Sequence, residues 1–139
     1  FPYTTLFRSI QKNSKEYVNY SAESKRKITC KKIGGKYTFI IDLDLKGEIV
    51  NNGLYEGMTV KTETIQKFED DMSKQVENMC IGFLDKMKKE YKVDLLQLGW
   101  VATAKYGRDT GVDWNEVVSN SKIKVNVKVH VDKLGRGQY

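Results

Sequence analysis

The most suggestive catalytic pattern in the sequence is the triplet Asp109-Thr110-Gly111, which matches the D-T-G of aspartic proteases. That chemistry needs two carboxylates close enough to share one proton, so a single copy functions only in a symmetric dimer. In those enzymes the triplet follows a hydrophobic strand, whereas here Gly107 and Arg108 precede it. The sequence therefore favours a glycine-containing turn over a protease site.

The other residues that could carry out acid–base chemistry are also poorly placed for it. His130, the single histidine, occupies an outward position of a predicted strand between lysines. Asp42 and Asp44 fall on the solvent face of another strand, and Asp70 and Asp71 point to different sides of a helix. None of these forms a convincing acid–base couple.

Cys30 and Cys80 complete the search for reactive groups. They lack the C-x-x-C spacing of redox and zinc sites and are best explained as small buried hydrophobic residues. The glycines form neither G-x-G-x-x-G nor a G-K-[ST] loop, so a phosphate site is unsupported. We therefore predict no catalytic residue, no cofactor, no metal site and no enzymatic activity.

The composition is that of a globular domain with a basic excess. Of the 139 residues, 40% are hydrophobic and 30% charged, and the formal net charge is +6. No apolar run approaches the roughly 18 residues that a membrane-spanning helix needs. The positive charge favours anionic neighbours without identifying them.

Three segments divide the chain. Residues 1–9, "FPYTTLFRS", contain the one proline and resemble the translation of a sequencing adapter, so we interpret them as a scar. Residues 10–26 are polar and irregular and predict a linker or the tail of a missing upstream domain. Residues 27–139 predict a single α+β domain.

The periodicity of that domain predicts strands first and helices second. Residues 27–33 and 36–45 alternate as a hairpin around Gly34 and Gly35, and Lys46-Gly47 then turns the chain into a short strand. From about 62 to 92 the period changes to that of one long helix. Its predicted apolar stripe comprises Ile65, Phe68, Met72, Val76, Met79, Cys80, Phe83, Met87 and Tyr91.

A second, shorter helix is predicted from Asp94 to Gly107. Asp94 would cap its first turn, with Gln97 in the position of a capping box, so Asp94→Asn should cost far less stability than Asp94→Ala. After a turn around Trp114, residues 122–131 alternate as the clearest strand in the chain. The fold class is therefore α+β, an antiparallel or mixed sheet with the long helix and the shorter helix packed on one face.

The second half of the sequence resembles a known family. "VDLLQLGWVATAKYG" (93–107) is similar to the Asp-x-x-x-x-Gly segment after the long helix of spore germinant-receptor C subunits, the Ger(x)C lipoproteins. "VDWNEVVSNSKIKVNVKVHVDKLG" (112–135) is similar to their tryptophan-bearing turn and final strand. The matching landmarks, which we interpret as structural, are Asp94, Gly99, Trp114 and Gly135.

The resemblance implies a non-catalytic subunit domain of a nutrient germinant receptor. Such subunits lie on the outer face of the spore inner membrane and assemble with membrane-embedded subunits. The lipid anchor would lie outside this fragment, because neither Cys30 nor Cys80 has the context of a lipidated cysteine. As a docking face we predict loop 107–113 and the outward residues Lys124, Lys128 and His130.

The alternative is a free-standing basic module that binds nucleic acid or another polyanion. Lys122, Lys124, Lys128 and Lys133 would give one sheet region a positive face. Single-strand binders interleave such lysines with aromatic side chains that stack on bases, and few aromatics occur here. We therefore expect no nucleic-acid partner.

Overall fold

The computed structural model describes residues 3–11, 17–52, 62–108 and 111–132. Among the described residues three strands come first, helices follow and a fourth strand comes last, so strands precede helices as predicted although the bounds of the first three strands differ. The elements are β1 (Tyr3–Gln11), β2 (Tyr17–Ile33), β3 (Lys36–Asn52), α1 (Thr62–Lys86), α2 (Leu98–Tyr106), α3 (Trp114–Ser119) and β4 (Lys122–Val131). A π-helical turn, Met87–Tyr91, follows α1 directly.

The described strands form one mixed sheet in the order β1-β2-β3-β4. β1 pairs with β2 antiparallel, from Tyr3 opposite Ser24 to Gln11 opposite Tyr17. β4 runs parallel to β3, because contacts advance together along both strands. Asn126 Nδ2 donates to Asp42 Oδ1 at 3.0 Å, and further along, the Asp132 amide donates to the Gly47 carbonyl at 2.6 Å. The predicted α+β class with a mixed sheet is confirmed.

The hairpin between β2 and β3 turns where the glycine pair predicted it. Gly34 and Gly35 have φ of 60° and 79°, a region that side chains with a β-carbon resist. The turn expected at Lys46-Gly47 does not form, and β3 continues through both residues to Asn52. Gly47 instead allows close approach of β2, since a β-carbon there would collide with the Ser21 carbonyl oxygen.

The sheet begins earlier in the chain than the sequence indicated. Residues 17–26, assigned above to a linker, lie within β2, where Tyr20 and Ala22 are buried. The strand was missed because its polar residues outnumber its apolar ones. A strand with one solvent-exposed face needs an apolar residue at only every second position. Residues 3–9 belong to β1; their adapter origin remains a proposal.

The chain divides into two compact units. The first comprises residues 1–26, 43–78 and 127–139, and the second comprises 27–42 and 79–126. In the first unit the rings of Tyr20 and Phe68 meet edge to face, with centroids 5.5 Å apart. Other buried side chains of the first unit are Leu45, Ile49, Met72, Val76, Val129 and Val131.

The second unit has its own hydrophobic core. Strand residues Cys30, Phe39 and Ile41 pack there against helical side chains. The helical members are Leu84, Met87, Leu98, Ala102 and Val118.

Helix α1 confirms the predicted long helix but changes its buried face. Phe68, Met72 and Val76 are buried as the stripe predicts, whereas Met79 and Phe83 are exposed. From residue 79 onward the helix belongs to the second unit, whose core takes up Leu84 and Met87. The helix therefore contributes buried side chains to both units. The stripe prediction is wrong for Met79, Phe83 and Tyr91, which are exposed.

Candidate functional site

Asp94 organises the start of α2 with both carboxylate oxygens. Oδ1 accepts from the Leu98 amide and Oδ2 from the Gly99 amide, each at 2.8 Å. The helix begins at Leu98, later than predicted, because residues 94–97 form a turn in which the Gln97 amide donates to the Asp94 carbonyl. Gln97 adopts φ 56° and makes no capping bond, so the predicted capping box is absent. Asp94 thus lies before the helix in the sequence, yet its carboxylate accepts from the amides of the first turn, as a carboxylate near a helix N-terminus can.

Gly99 and Trp114 are in direct contact. A β-carbon on Gly99 would lie 2.7 Å from Trp114 Cγ and 2.9 Å from Cβ and Cδ2. The glycine is therefore required by the indole that covers it, and Gly99 itself is buried.

Residues at the start of helix α3 connect this helix to the turn that contains Asp94. Asp113 Oδ1 accepts from the amides of Asn115 (3.1 Å) and Glu116 (3.4 Å), the bonds of an N-cap. Asn115 Oδ1 in turn accepts from the Asp94 amide at 2.9 Å. Asp94, Gly99 and Trp114 thus form one cluster, which we call the landmark cluster.

Aromatic contacts tie the landmark cluster to the hairpin. The Tyr37 ring meets Trp114 edge to face at 5.4 Å and Tyr106 at 6.2 Å. The Lys32 amide donates to the Tyr106 hydroxyl at 2.9 Å, and Lys105 Nζ donates to the Cys30 carbonyl at 2.8 Å. The hydrogen bonds join β2 to α2, and the Tyr37 ring contacts join β3 to α2 and α3, all inside the second unit.

Two predicted positions lie outside the described residues. They are the fourth landmark, Gly135, and the Asp109-Thr110 part of the D-T-G triplet. Gly111 is described and has φ 86°, in keeping with a glycine-containing turn.

The polar face of β4 carries the predicted docking residues. Lys124, Lys128 and His130 are exposed, while Val129 and Val131 are buried, so the predicted alternation is present. Lys128 and His130 both belong to the first unit, and Lys124 belongs to the second. The structure therefore brings two of the three together.

Glu69 on α1 holds the end of β4. Its Oε2 accepts from the Val131 amide at 2.9 Å and lies 3.5 Å from His130 Nδ1. The second contact is an ion pair only when the imidazole is protonated. Sequence reasoning missed Glu69. Its signal was a carboxylate on the predicted apolar stripe, four residues after Ile65 and three before Met72.

Tyr20 supports the same strand end from the interior. Its hydroxyl donates to the His130 carbonyl at 2.6 Å, and the Leu45 carbonyl lies 3.4 Å away. Burial raises the pKa of the Tyr20 phenol above its ordinary 10.0, and the negative charge of Glu69 raises it further. Tyr20 is therefore a neutral hydrogen-bond donor.

An open groove of about 1150 Å³ lies in the first unit between α1 and the strands. Lys128 and His130 line it together with Glu69, Asp70 and Lys74 of α1. Further lining residues from β2 and β3 are Glu23, Lys25, Asp44 and Lys46. The groove therefore presents charges of both signs.

The described residues offer few reactive groups beyond these. Burial raises the pKa of the Cys30 thiol, an effect that Lys105 partly opposes, so this thiol is a poor nucleophile. Within the described ranges, no three His, Cys, Asp or Glu side chains are grouped as metal ligands. None of the described helices is both long enough and apolar enough to cross a bilayer.

The sequence matches the family described as "Spore germination B3/ GerAC like, C-terminal" over residues 4–135. The chain belongs to this family. The resemblance predicted from Asp94, Gly99 and Trp114 is thereby confirmed. The matched range also includes most of residues 3–26, which the structure places largely in β1 and β2.

A solved structure has the same fold. The crystal structure of the GerBC protein superimposes with a TM-score of 0.75 at 18% sequence identity, over 94% of this chain and 40% of that chain. The present chain thus spans less than half of the GerBC chain. No curated protein sequence matches it.

Within this GerAC-like domain, the landmark residues have structural tasks. Asp94 holds two amides, Gly99 makes room for an indole, and Trp114 covers that glycine. These contacts account for the residue types at the three positions.

Proposed function

We propose that this domain is a non-catalytic part of a nutrient germinant-receptor C subunit and acts by binding other receptor subunits. The observation that carries the proposal is the match to the GerAC-like C-terminal family over residues 4–135. The full-length protein would lie on the outer face of the spore inner membrane, held by a lipid anchor outside this fragment.

The proposed lack of catalysis is supported by the engagement of the polar groups that could react. The Asp94 carboxylate is occupied by backbone amides, and Glu69 is occupied by the Val131 amide. His130 is exposed, and its Nδ1 lies 3.5 Å from Glu69 Oε2. These arrangements hold backbone segments in place.

The proposed docking face comprises Lys124, Lys128 and His130. Their side chains project from a strand whose opposite side is buried, so they can contact a partner without disturbing the core. The strand end beneath them is fixed by the Tyr20 hydroxyl and the Glu69 carboxylate. Gly107 and Arg108, the described start of the predicted docking loop, are also exposed.

The charges around Lys128 do not favour the polyanion alternative. Glu69 and Asp70 of α1 and Asp44 of β3 line the same groove as Lys128. A phosphate backbone would meet carboxylates as well as lysines there, which reduces its electrostatic attraction. A protein surface with charges of both signs fits this groove better.

The test is germination of spores whose full-length subunit carries Lys124→Glu and Lys128→Glu. We expect impaired nutrient response at a normal subunit level on immunoblot, because exposed positions tolerate substitution while charge reversal opposes docking. Lys31→Glu with Lys36→Glu makes the same charge change at exposed hairpin positions and serves as the matched control.

Normal germination of the β4 variant at a normal level would exclude this face as the docking site. Tight binding of a polyanion by the wild-type domain, abolished by the same two substitutions, would instead favour the alternative function.

A further inference from the structure

Large apolar side chains are exposed in the short segment between the π-helical turn and the first turn of α2. Trp100 is 73% exposed, and Tyr91, Val93 and Leu95 are each exposed by two-fifths or more. We call these four residues the 91–100 patch. Single exposed apolar residues are common, but four within ten residues indicate a surface that contacts something.

The backbone beneath the 91–100 patch is held firmly. The Lys92 amide donates to the Met87 carbonyl at 2.8 Å, and the Gln97 amide donates to the Asp94 carbonyl at 3.2 Å. The Asp94 carboxylate then fixes the first amides of α2. The side chains of Leu96 and Leu98 face the core of the second unit, so the patch residues are left on its outside.

Lysines adjoin the patch. Lys88, Lys89 and Lys92 line a shallow depression with Asp113 and Glu116 of the α3 region. Asp113 already accepts from the amides of Asn115 and Glu116, so its charge is partly taken up by the helix that it caps. The three lysines outnumber the two carboxylates of this depression, in contrast to the balanced charges of the groove beside β4. A net positive charge beside exposed aromatic and aliphatic side chains is complementary to an anionic lipid surface.

We propose that the 91–100 patch with Lys88, Lys89 and Lys92 is a membrane-contact surface for anionic lipid. Trp100 and Leu95 would enter the interfacial region, where tryptophan is favoured, and the lysines would meet the headgroups. The proposal rests on the proposed function only in requiring a membrane close to the domain. It assigns that membrane a second contact, separate from a lipid anchor and from the β4 face.

The experiment mixes the 139-residue chain with vesicles of equal parts phosphatidylglycerol and phosphatidylcholine and measures co-sedimentation and tryptophan emission. We expect binding to these vesicles, a blue shift of the emission, and weak binding to phosphatidylcholine alone. Leu95→Ser with Trp100→Ser should weaken partitioning by roughly tenfold or more, since burying one large apolar side chain is worth that much. Ile33→Ser, at an exposed apolar position on β2, is the matched control and should bind as the wild type does.

Charge is tested in the same assay. Lys89→Glu with Lys92→Glu should abolish the preference for anionic vesicles, whereas Lys124→Glu with Lys128→Glu should leave it intact. Circular dichroism of each variant verifies folding. Absence of vesicle binding by the wild-type chain, or equal loss in the patch variants and their controls, would overturn the proposal. Because the β4 variant is the one expected to fail in germination, the two proposals can fail independently.

Discussion

The α-carbon of Gly99 lies so close to the indole of Trp114 that a β-carbon at position 99 would stand 2.7 Å from Trp114 Cγ. That contact joins α2 to α3, and the Asp94 carboxylate holds the same Gly99 by its amide. Gly99 and Trp114 are thus complementary in shape, and Asp94 fixes the position of the Gly99 amide.

Gly99→Ala should destabilise the domain by about 1–3 kcal/mol, because the added methyl group must displace a packed ring. Urea unfolding monitored by circular dichroism measures the change. Gly82→Ala provides the opposite case, since Gly82 lies in α1 with open space around it. That substitution should stabilise the domain by about 0.5–1 kcal/mol through higher helix propensity. Equal effects at the two glycines would show that the Trp114 contact is not the reason for Gly99.

Asp94→Ala should cost about 1–3 kcal/mol, because it leaves two amides without their charged acceptor. Asp94→Asn should cost a substantial part of that, more than the sequence predicts. An asparagine has one acceptor oxygen, and its amide nitrogen would face either the Leu98 or the Gly99 amide. Thermal unfolding of both variants measures these costs. If the Asp94→Asn variant is as stable as the wild type, one of the two hydrogen bonds to Asp94 is sufficient to stabilise the start of α2.

Tyr20→Phe should lower stability at neutral pH by about 1–2 kcal/mol, because the His130 carbonyl loses its buried donor. The pH dependence supplies a second readout. Since burial raises the pKa of Tyr20 above 10.0, the folded chain retains a proton that the unfolded chain releases in alkali. The stability due to this tyrosine is therefore complete below pH 10 and decreases above it. The free energy of unfolding of the wild type and that of Tyr20→Phe should therefore become more alike as the pH rises past 10. A difference that stays constant would contradict the role of Tyr20 as a buried, neutral hydrogen-bond donor.

Deletion of residues 1–9 should lower the melting temperature, because it removes most of the strand that pairs with β2 between Tyr3 and Gln11. Differential scanning calorimetry of the shortened chain measures the effect. An unchanged melting temperature would instead fit the interpretation of these residues as a scar that contributes nothing to the fold.

Local periodicity in the sequence was enough to determine which face of β4 is exposed to solvent and which residues form the long helix. The alternation of valines with Lys124, Lys128 and His130 reports burial directly, because successive side chains of a strand point to opposite faces. The second half of the sequence also resembled the family that the chain matches over residues 4–135.

Tertiary structure alone decided which groups these residues meet. That Glu69 on α1 accepts from the Val131 amide depends on how a helix packs beside a distant strand, which no local pattern records. The shift of the buried face of α1 from Val76 to Leu84 has the same origin, because two cores draw on one helix. Likewise, Asp94 looks like an ordinary cap in the sequence, and only the turn at 94–97 aims both of its oxygens at α2. Periodicity encodes exposure, whereas the choice of partner is made by the packing of segments far apart in the chain.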